Sequence, residues 1–420
     1  MKNNTVLVLT IGGTPKPIIK SLKEHNPGYI YFIPSTVTQD QIPEIKNAVF
    51  KNEFHGVEKS FPIKDPADLP KCYRKCIEAF EDIRTTGLES KDIIADPTGG
   101  TKIMSAALLL AAIDLGVKVS YVSGEFRTKD GRGIVVDGSE KIVYNSHPYD
   151  IIAKTQKERF CEFFNSYRFS PAIDICDDII AKGGKELQDI FKILKSITTV
   201  YQNRDLFKFK NCFHNLNSDI NRLRQLYSKY PAEIDKMSGF IKQVSDNIDY
   251  LESLKTEDIS LPMVEELVAN ASRRAEEGRF DDAIARLYRA LEMVAQAQFY
   301  KLYGQGTSNF PFEKLVDELK SKHQCKKKKG EVVDLGCYDA FKQLYKSDDE
   351  FGKLYFENEE DIVKILNLRN RSILAHGIDQ LDKYKYEKLY SIFSGVFGID
   401  GKIVKFAKMN IDEIAAIGIE

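Results

Sequence analysis

The first 145 residues alternate short apolar runs with segments of helical periodicity. The apolar runs are Thr5 to Ile11, Tyr29 to Ile33, Ile93 to Ala95 and Val117 to Val122. An Ala/Leu-rich stretch, Lys102 to Leu115, lies between the last two runs and predicts a helix. Apolar strands separated by helices are typical of a parallel sheet covered on both faces. We therefore predict an α/β, Rossmann-like N-terminal domain.

The pattern changes at the end of this region. Ile134 to Gly138 and Lys141 to Tyr144 indicate a hairpin around an Asp-Gly turn. After Pro148 the chain becomes long, charged and helical, with apolar residues such as Leu216, Ile220 and Leu223 at helical spacing. The fold class predicted is therefore a Rossmann-like parallel sheet with a C-terminal hairpin, followed by all-α helical domains.

A second boundary falls at Ser260-Leu261-Pro262, because Ser caps a helix well and Pro suits the first helical turn. The sequence thus predicts a Rossmann-like domain over residues 1–148, a helical connector over 149–260 and a further helical domain over 261–420.

Composition narrows the class of protein. The 420 residues contain 61 Lys+Arg against 62 Asp+Glu, which argues against a wholly basic nucleic-acid-binding coat and against an acidic mimic of nucleic acid. Seven cysteines, an odd number, favour a reducing compartment. The apolar runs Val6 to Leu9 and Ala106 to Leu115 are too short for a signal peptide or a membrane span. We expect a cytoplasmic protein that makes no membrane contact.

Two glycine-rich turns carry the strongest signal for a phosphate-bearing ligand. One is Thr10-Ile11-Gly12-Gly13-Thr14-Pro15-Lys16, and the other is Asp96-Pro97-Thr98-Gly99-Gly100-Thr101-Lys102. Each follows a predicted strand and opens a helix, so both lie at the carboxyl edge of the sheet, where α/β sheets bind ligands. Glycines allow backbone N–H groups to approach an anion, and the helix that follows adds its positive end. Thr98 and Thr101 offer hydroxyls, and Lys102 offers a cation.

Neither turn matches a common nucleotide-binding fingerprint. The GxxxxGK[ST] motif requires Ser or Thr after the lysine, but Ile103 follows Lys102, and GxGxxG is absent from both turns. The sequence therefore gives little support for a nucleoside triphosphatase or a dinucleotide-dependent dehydrogenase. The structural alternative is that the glycines only allow the chain to turn.

A second set of candidate residues lies near the C-terminus. His376 follows Arg369 and Arg371 at the predicted end of a helix that Gly377 would stop. One histidine and two guanidinium groups suit metal-free RNA cleavage, in which proton transfers accompany 2′-OH attack and a cation stabilises the phosphorane. The chain offers no second histidine nearby, so one copy alone is short of catalytic groups.

Helical geometry separates the two arginines. At about 100° per residue, Arg369 and His376 fall within roughly 20° of each other, whereas Arg371 and His376 are about 140° apart. Arg371 would share a site with His376 only if the helix frays or a second protomer completes the site. The structural alternative is an Arg-rich helix end capped by a histidine. No metal-ligand cluster is evident, because Cys72 and Cys76, like Cys325 and Cys337, lack suitable companions.

Taken together, these motifs resemble a known family. The turns TIGGTPKP and DPTGGTKIMS are similar to the ligand-binding loops of CRISPR-associated Rossmann (CARF) domains, and RSILAH matches the R-x4-6-H motif of HEPN ribonuclease domains. The stretch RFDDAIARLYRALEMVAQ is similar to the helix that precedes that motif. The chain thus resembles the CARF-HEPN ancillary ribonucleases of type III CRISPR antiviral defence, over residues 1 to about 145 and about 261 to 400.

The resemblance implies an activity. Members of this family form homodimers whose CARF domains bind cyclic oligoadenylate, and binding switches on cleavage of single-stranded RNA by the paired HEPN domains. It implies metal-independent cleavage that leaves a 2′,3′-cyclic phosphate, no cofactor and no DNA partner. Some members also cleave their own activator, and Thr10, Thr98 and Lys102 are the candidates for that reaction. Ring size, cA4 or cA6, is left open.

The resemblance also assigns site residues. Those implied to bind the activator are Thr10, Gly12, Gly13, Thr14, Thr98, Gly99, Gly100, Thr101 and Lys102. Arg371 and His376 are implied to be catalytic, with Arg369 supporting RNA binding, although both arginines satisfy the motif. Two alternatives remain: a nucleotide-sensing protein that binds RNA or a partner without cleavage, and an ordinary Rossmann enzyme with a helical appendage.

Overall fold

The N-terminal part of the chain forms a six-stranded sheet. The computed structural model describes residues 3–51, 53–124, 140–145, 147–209, 212–254, 258–324, 332–370, 373–374, 377–399 and 405–418. The strands of the sheet are β1 (Val6–Ile11), β2 (Tyr29–Pro34), β3 (Val57–Ser60), β4 (Ile93–Asp96), β5 (Lys118–Gly124) and β6 (Glu140–Asn145). Their spatial order is β3-β2-β1-β4-β5-β6, and every neighbouring pair is parallel except β5 and β6. The predicted Rossmann-like fold is confirmed.

Helices cover both faces of this sheet. They are α1 (Lys16–His25), α2 (Ile42–Phe50), α3 (Leu69–Arg84) and α4 (Lys102–Leu115). All six side chains of β1 are buried, and they alternate between two cores. Val6 and Val8 pack towards α3 and α4, whereas Leu7 and Leu9 pack towards α1 and α2. A strand that is buried on both faces is mostly apolar, which explains the apolar run from Val6 to Leu9.

The two ends of the sheet differ in detail from the sequence predictions. The strand predicted at Lys141 to Tyr144 exists as β6 and pairs antiparallel with β5, with Val122 opposite Ile142. The other predicted arm of the hairpin, Ile134 to Gly138, lies outside the described residues. Strand β3 was not predicted, because it is an edge strand of exposed and half-buried residues without an apolar run.

Beyond the sheet, the described residues form helices and a small antiparallel pair, β7 (Phe310–Pro311) with β8 (Val332–Val333). The helices after the sheet are α5 (Pro148–Ile152), α6 (Lys154–Asn165), α7 (Phe169–Lys182), α8 (Lys185–Asp205), α9 (Cys212–Leu226), α10 (Pro231–Asp235), α11 (Ser238–Ser253), α12 (Leu261–Glu276), α13 (Phe280–Tyr303), α14 (Asp317–Lys322), α15 (Cys337–Lys346), α16 (Glu350–Glu357), α17 (Glu359–Asn370), α18 (Lys383–Phe397) and α19 (Ile411–Ala415). In the part of the chain that is described, no helix is long and apolar enough to cross a membrane.

Two hydrophobic cores organise these helices. One core is formed by side chains from the helices α5 through α11. The other is formed by side chains within residues 264–399. The C-terminal residues 406–417 pack into the first core, although they follow the second in sequence. The side-chain amide of Asn165 fixes this return by donating to the carbonyl of Met409 over 2.9 Å. The domain boundaries at residues 148 and 260 remain a prediction.

A buried ion cluster links the two helical cores. Glu266 of α12 is fully buried and accepts hydrogen bonds from Arg204 of α8 (2.7 Å) and Arg273 of α12 (2.8 Å). Asp205 binds Arg273 and Arg274, each over 2.9 Å. Burial alone would raise the pKa of Glu266, but the two arginines outweigh burial, so this pKa lies below its usual value. The carboxylate is therefore charged inside the protein.

Replacing this carboxylate tests the cluster. Glu266→Gln removes the buried carboxylate that faces Arg204 and leaves Arg273 with Asp205 alone, and we expect the free energy of unfolding to fall by about 3–5 kcal/mol in denaturant titrations. Folding lowers the pKa of Glu266. Its contribution to the free energy of unfolding is therefore complete above about pH 4.5, and it is lost as the pH falls through the pKa of the folded state. Glu252→Gln, an exposed carboxylate on α11, is the matched control. Equal stability of the two variants would contradict this role.

Candidate functional site

The two glycine-rich turns contact each other at the carboxyl edge of the sheet. They follow β1 and β4, which are adjacent and parallel. The hydroxyl of Thr10 donates to the carbonyl of Gly99 over 2.5 Å, and the hydroxyl of Ser105 donates to the same oxygen over 3.0 Å. The two turns therefore form one continuous surface.

Three of the four glycines are needed for this contact. A Cβ on Gly12 would lie 2.6 Å from the nitrogen of Gly100, and a Cβ on Gly99 would lie 2.2 Å from the carbonyl oxygen of Thr10. Gly100 has a φ of +83°, in the left-handed region that favours glycine. A Cβ on Gly13, by contrast, would meet no atom within 4 Å. The alternative that the glycines serve only the local structure therefore explains Gly12, Gly99 and Gly100. It does not explain Gly13.

The threonines of the turns also hold local structure. Thr10 is fully buried, so its side chain faces the second turn and not the open edge. The Thr98 hydroxyl accepts from the backbone N–H of Val122 over 2.8 Å. Thr101 caps α4 by accepting from the N–H of Met104 over 3.2 Å, and its hydroxyl donates to the carbonyl of Pro66 over 2.9 Å. The predicted ligand contacts through these hydroxyls therefore compete with existing hydrogen bonds.

The exposed part of the surface is smaller than the predicted set. Gly13, Thr14, Thr101 and Lys102 are exposed, but the Thr101 hydroxyl is already bonded to Pro66 and Met104. Gly13 and Thr14 precede α1, and Lys102 is the first residue of α4, so both helix N-termini point their positive ends at this edge. Exposed backbone, an exposed threonine and a lysine beside two helix N-termini suit a phosphate-bearing ligand.

Two features that position these turns were not identified from the sequence. The side chain of Asp96 is buried, accepts from the N–H of Thr98 over 2.8 Å and is bonded to the hydroxyl of Ser21. After β2, the hydroxyl of Thr38 donates to the carbonyl of Ile11 over 3.1 Å, which adds a third loop to the same edge. In the sequence, several residues with hydroxyl side chains directly after a predicted strand could have indicated this loop.

The arginine and histidine motif lies only partly within the described residues. Arg369 is in the last turn of α17, and nothing is described of its side chain, whereas Arg371 and His376 lie outside the described residues. Helix α17 ends at Asn370, and Ile373 and Leu374 form a turn. The helix therefore does not continue through Ile373 and Leu374, as a helix ending at Gly377 would, and both of these side chains are exposed. The predicted angles between each arginine and His376 assumed one continuous helix. They therefore no longer show which arginine shares a site with His376.

A cavity of about 880 Å³ adjoins this segment. Ile373 and Leu374 line it together with residues 278–282, which include the start of α13, and residues 380–382, before α18. Its carboxylates are engaged locally: Asp282 binds Arg279 over 2.7 Å, and Asp382 caps α18 by accepting from the N–H of Lys385. The cavity therefore lies next to the residues that separate Arg371 from His376 in the sequence.

The cysteines form no metal site in the part of the chain that is described, where no group of His, Cys, Asp or Glu is placed to hold a metal ion. Cys72 and Cys76 are buried in the core beside α4. Burial raises the pKa of the Cys76 thiol to about 12, so the thiol is uncharged at neutral pH.

Comparison with known protein families finds a match in the C-terminal part of the chain. Residues 254–398 match the model of the Csm6 HEPN domain. This segment contains α12 to α18 and the motif residues, and the match confirms the resemblance drawn from RSILAH and the preceding helix. No curated protein sequence matches the chain.

Solved structures extend the likeness to the whole chain. The Enterococcus italicus Csm6 bound to cyclic hexa-2′-fluoro-hexa-dAMP matches with a TM-score of 0.58 and 14% identity, over 98% of this chain and 99% of that protein. At this identity the likeness shows a shared fold. Can2 from Sulfobacillus thermosulfidooxidans, solved with cyclic tetra-adenylate, has 16% identity and a TM-score of 0.26 over 55% of this chain and 70% of its own. VC1899 from Vibrio cholerae has 10% identity and a TM-score of 0.26 over 52% and 68%. These last two scores are too low to carry an argument.

Alanine at the glycines tests the contact between the turns. Gly99→Ala places a Cβ against the carbonyl of Thr10, and we expect a loss of about 1–3 kcal/mol in unfolding free energy. Gly13→Ala is the matched control, because its Cβ enters open space, and its stability is expected to stay within about 0.5 kcal/mol of the wild type. Thermal and denaturant unfolding measure both. A stable Gly99→Ala protein would show that the two turns do not need this close approach.

Proposed function

Residues 254–398 belong to the Csm6 HEPN domain family, and on that premise we propose that the chain is an endoribonuclease of type III CRISPR defence switched on by cyclic oligoadenylate. The match over the segment that contains Arg371 and His376 carries the proposal. The fold shared with Csm6 over nearly the whole chain supports a sensor domain in front of the nuclease domain.

The activator binds at the carboxyl edge of the sheet in this proposal. Gly13, Thr14 and Lys102 supply exposed backbone, a hydroxyl and a cation beside two helix N-termini. A cyclic oligoadenylate carries several phosphates around a ring, so two copies of this edge related by a two-fold axis would hold it better than one. The ligand in the Csm6 structure of similar fold is such a ring.

The cleavage chemistry belongs to the C-terminal domain. We assign proton transfer to His376, because an imidazole titrates near neutral pH. Arg371 stabilises the charge that develops on the phosphorane as the 2′-OH attacks, and Arg369 contributes to RNA binding. Attack by the 2′-OH breaks the bond to the departing 5′-oxygen and leaves a 2′,3′-cyclic phosphate, so the reaction consumes no water.

A homodimer completes this site. One copy supplies a single histidine in the motif, so a second copy brings the further groups that the two proton transfers require. Exposed apolar side chains beside the motif support a contact there: Ile373 is 71% exposed and Ile378 is 93% exposed. Apolar side chains grouped at a surface are typical of interfaces.

Replacement of the histidine tests the chemistry. His376→Ala removes the proton-transfer group, and we expect RNA cleavage in the presence of activator to fall by about a hundredfold or more, while activator affinity is unchanged. Arg371→Ala is expected to reduce cleavage more than Arg369→Ala. A fluorescent single-stranded RNA measures cleavage, and calorimetry measures activator binding.

His214→Ala, an exposed histidine on α9, is the matched control and is expected to retain full activity. Unchanged cleavage by His376→Ala would remove His376 from the mechanism. If the wild-type protein binds cyclic oligoadenylate but leaves RNA intact, the chain is a nucleotide-sensing binding protein and not a nuclease.

Replacement of the lysine tests the sensor. Lys102→Ala removes a charge-assisted contact, and we expect the activator to bind about tenfold or more weakly while basal cleavage without activator persists. Lys23→Ala, an exposed lysine in the last turn of α1, is the control because that turn lies at the other end of the strands. Equal loss of basal and activated cleavage would argue against a separate sensor site. Chromatography of the activator after the same incubations shows whether the sensor domain also degrades it.

A further inference from the structure

The C-terminal residues return to the connector after the helices of the second core. Ile399 is buried in the core of residues 264–399, whereas Phe406, Ala407 and Met409 are buried in the core of α5 to α11. Residues 405–409 form neither helix nor strand. This segment, residues 405–409, is called the C-terminal strap below.

Two side-chain amides bind the backbone of the strap. The amide of Gln243, on α11, accepts from the N–H of Lys408 over 3.1 Å and donates to the carbonyl of Lys408 over 3.2 Å. The amide of Asn165, at the end of α6, binds both backbone groups of Met409 in the same way, each over 2.9 Å. Each amide satisfies the donor and the acceptor of one residue, as a neighbouring β-strand would. Two connector helices therefore hold the strap through its backbone.

The strap also contacts the end of α12, in the region that matches the Csm6 HEPN domain model. The guanidinium group of Arg273 lies 3.8 Å from the ring centroid of Phe406. The ammonium group of Lys408 lies 3.8 Å from the ring centroid of Tyr167, and the Tyr167 hydroxyl donates to the carboxylate of Glu276 over 2.6 Å. Two separate contacts therefore link the strap to the last turn of α12.

The backbone of Tyr167 is strained at this link. Its φ is +62°, in the left-handed region that favours glycine. A bulky residue keeps such a conformation only where its surroundings hold it, and strain of this kind clusters at functional positions. The ring of Tyr167 lies against Lys408 and its hydroxyl reaches Glu276, so the strained residue connects the strap to α12.

The end of α12 leads into the cavity beside the arginine and histidine motif. Glu276 is the last residue of α12, and residues 278–282 line this cavity together with Ile373 and Leu374. A contact that fixes Glu276 therefore also limits where the turn between α12 and α13 can lie.

We propose that the C-terminal strap and Tyr167 position the turn between α12 and α13 beside the nuclease motif. With the strap in place, the connector and the last turn of α12 move as one unit. With the strap released, this turn moves independently of the connector. For its effect on RNA cleavage, the proposal rests on the proposed function. Tyr167 and the strap are positioning groups, because they act through α12.

Hydrogen exchange measured by mass spectrometry on the full-length protein tests the strap without activator or RNA. The double variant Asn165→Ala/Gln243→Ala removes the four backbone hydrogen bonds described above and leaves the buried Phe406 in place. We expect exchange in residues 405–409 and 270–280 to become at least about tenfold faster. Exchange in α3 and α4 of the sheet domain is expected to stay at the wild-type rate.

The double variant Asn217→Ala/Gln225→Ala is the matched control, because it makes the same two changes at exposed positions on α9. It is expected to exchange and to cleave RNA as the wild type does.

Cleavage of a fluorescent single-stranded RNA by the same proteins tests the positioning role. We expect Asn165→Ala/Gln243→Ala to keep the basal rate and the affinity for cyclic oligoadenylate, and to lose at least about tenfold of the activated rate. Tyr167→Phe removes only the hydroxyl that binds Glu276, so we expect the activated rate to fall at least about threefold while exchange in residues 405–409 is unchanged. Tyr227→Phe, at an exposed tyrosine, is its control.

The exchange measurement separates this proposal from the proposed function. If cyclic oligoadenylate activates no cleavage by the wild type, the proposed function is wrong, and exchange in residues 270–280 still decides whether the strap holds α12. Three outcomes would overturn the proposal: wild-type exchange of residues 270–280 in the strap variant, wild-type activation despite faster exchange of the strap, or equal loss of basal and activated cleavage.

Discussion

The buried charge of Glu266 constrains how the domains of this chain are joined. A carboxylate without solvent access requires cations close by, and Arg204 and Arg273 meet that requirement from two different helices. Both guanidinium groups also lie over the ring of Phe406, at 4.4 and 3.8 Å from its centroid. Three distant segments therefore meet at one point: the end of α8, the helix α12 and the returning C-terminal residues.

This junction gives the long helix α8 a defined role. At 1.5 Å per residue, its 21 residues span about 30 Å, from the amino edge of the sheet to the ion cluster. The helical connector is thus fixed to the sheet domain at one end and, at the other, to the helical region that matches the Csm6 HEPN domain model. A change in the position of the sheet domain would reach α12 through packed helices, which is the coupling that a ligand-gated nuclease needs.

Local chemistry made much of the fold predictable. Helix α4 has the bounds that its Ala/Leu run and Gly116 indicate, and β1 contains the apolar run Val6 to Leu9 that is typical of a strand buried on both faces. The edge strand β3 was missed because its exposed residues carry no such pattern. The ion cluster was also missed, since Arg204 and Glu266 are 62 residues apart and sequence spacing does not show which charges will meet.

The site was predictable in part. The sequence located both turns at one sheet edge, but it did not show that three of the glycines serve the contact between the turns and that Gly13 remains open. The hydroxyls of Thr10, Thr98 and Thr101 were expected to face a ligand, yet each is held by a backbone partner, because a crowded edge must satisfy its own polar groups first. For Arg371 and His376, the roles stay predictions.

The central claim is that a ligand at the sheet edge controls RNA cleavage by the distant HEPN domain. The most direct measurement is the rate of fluorescent single-stranded RNA cleavage by the wild-type protein, titrated with cyclic tetra-adenylate and cyclic hexa-adenylate side by side. The account predicts a low basal rate that rises with one of the two rings and saturates at the concentration that fills the sensor site. A rate that is the same with and without either ring would contradict it.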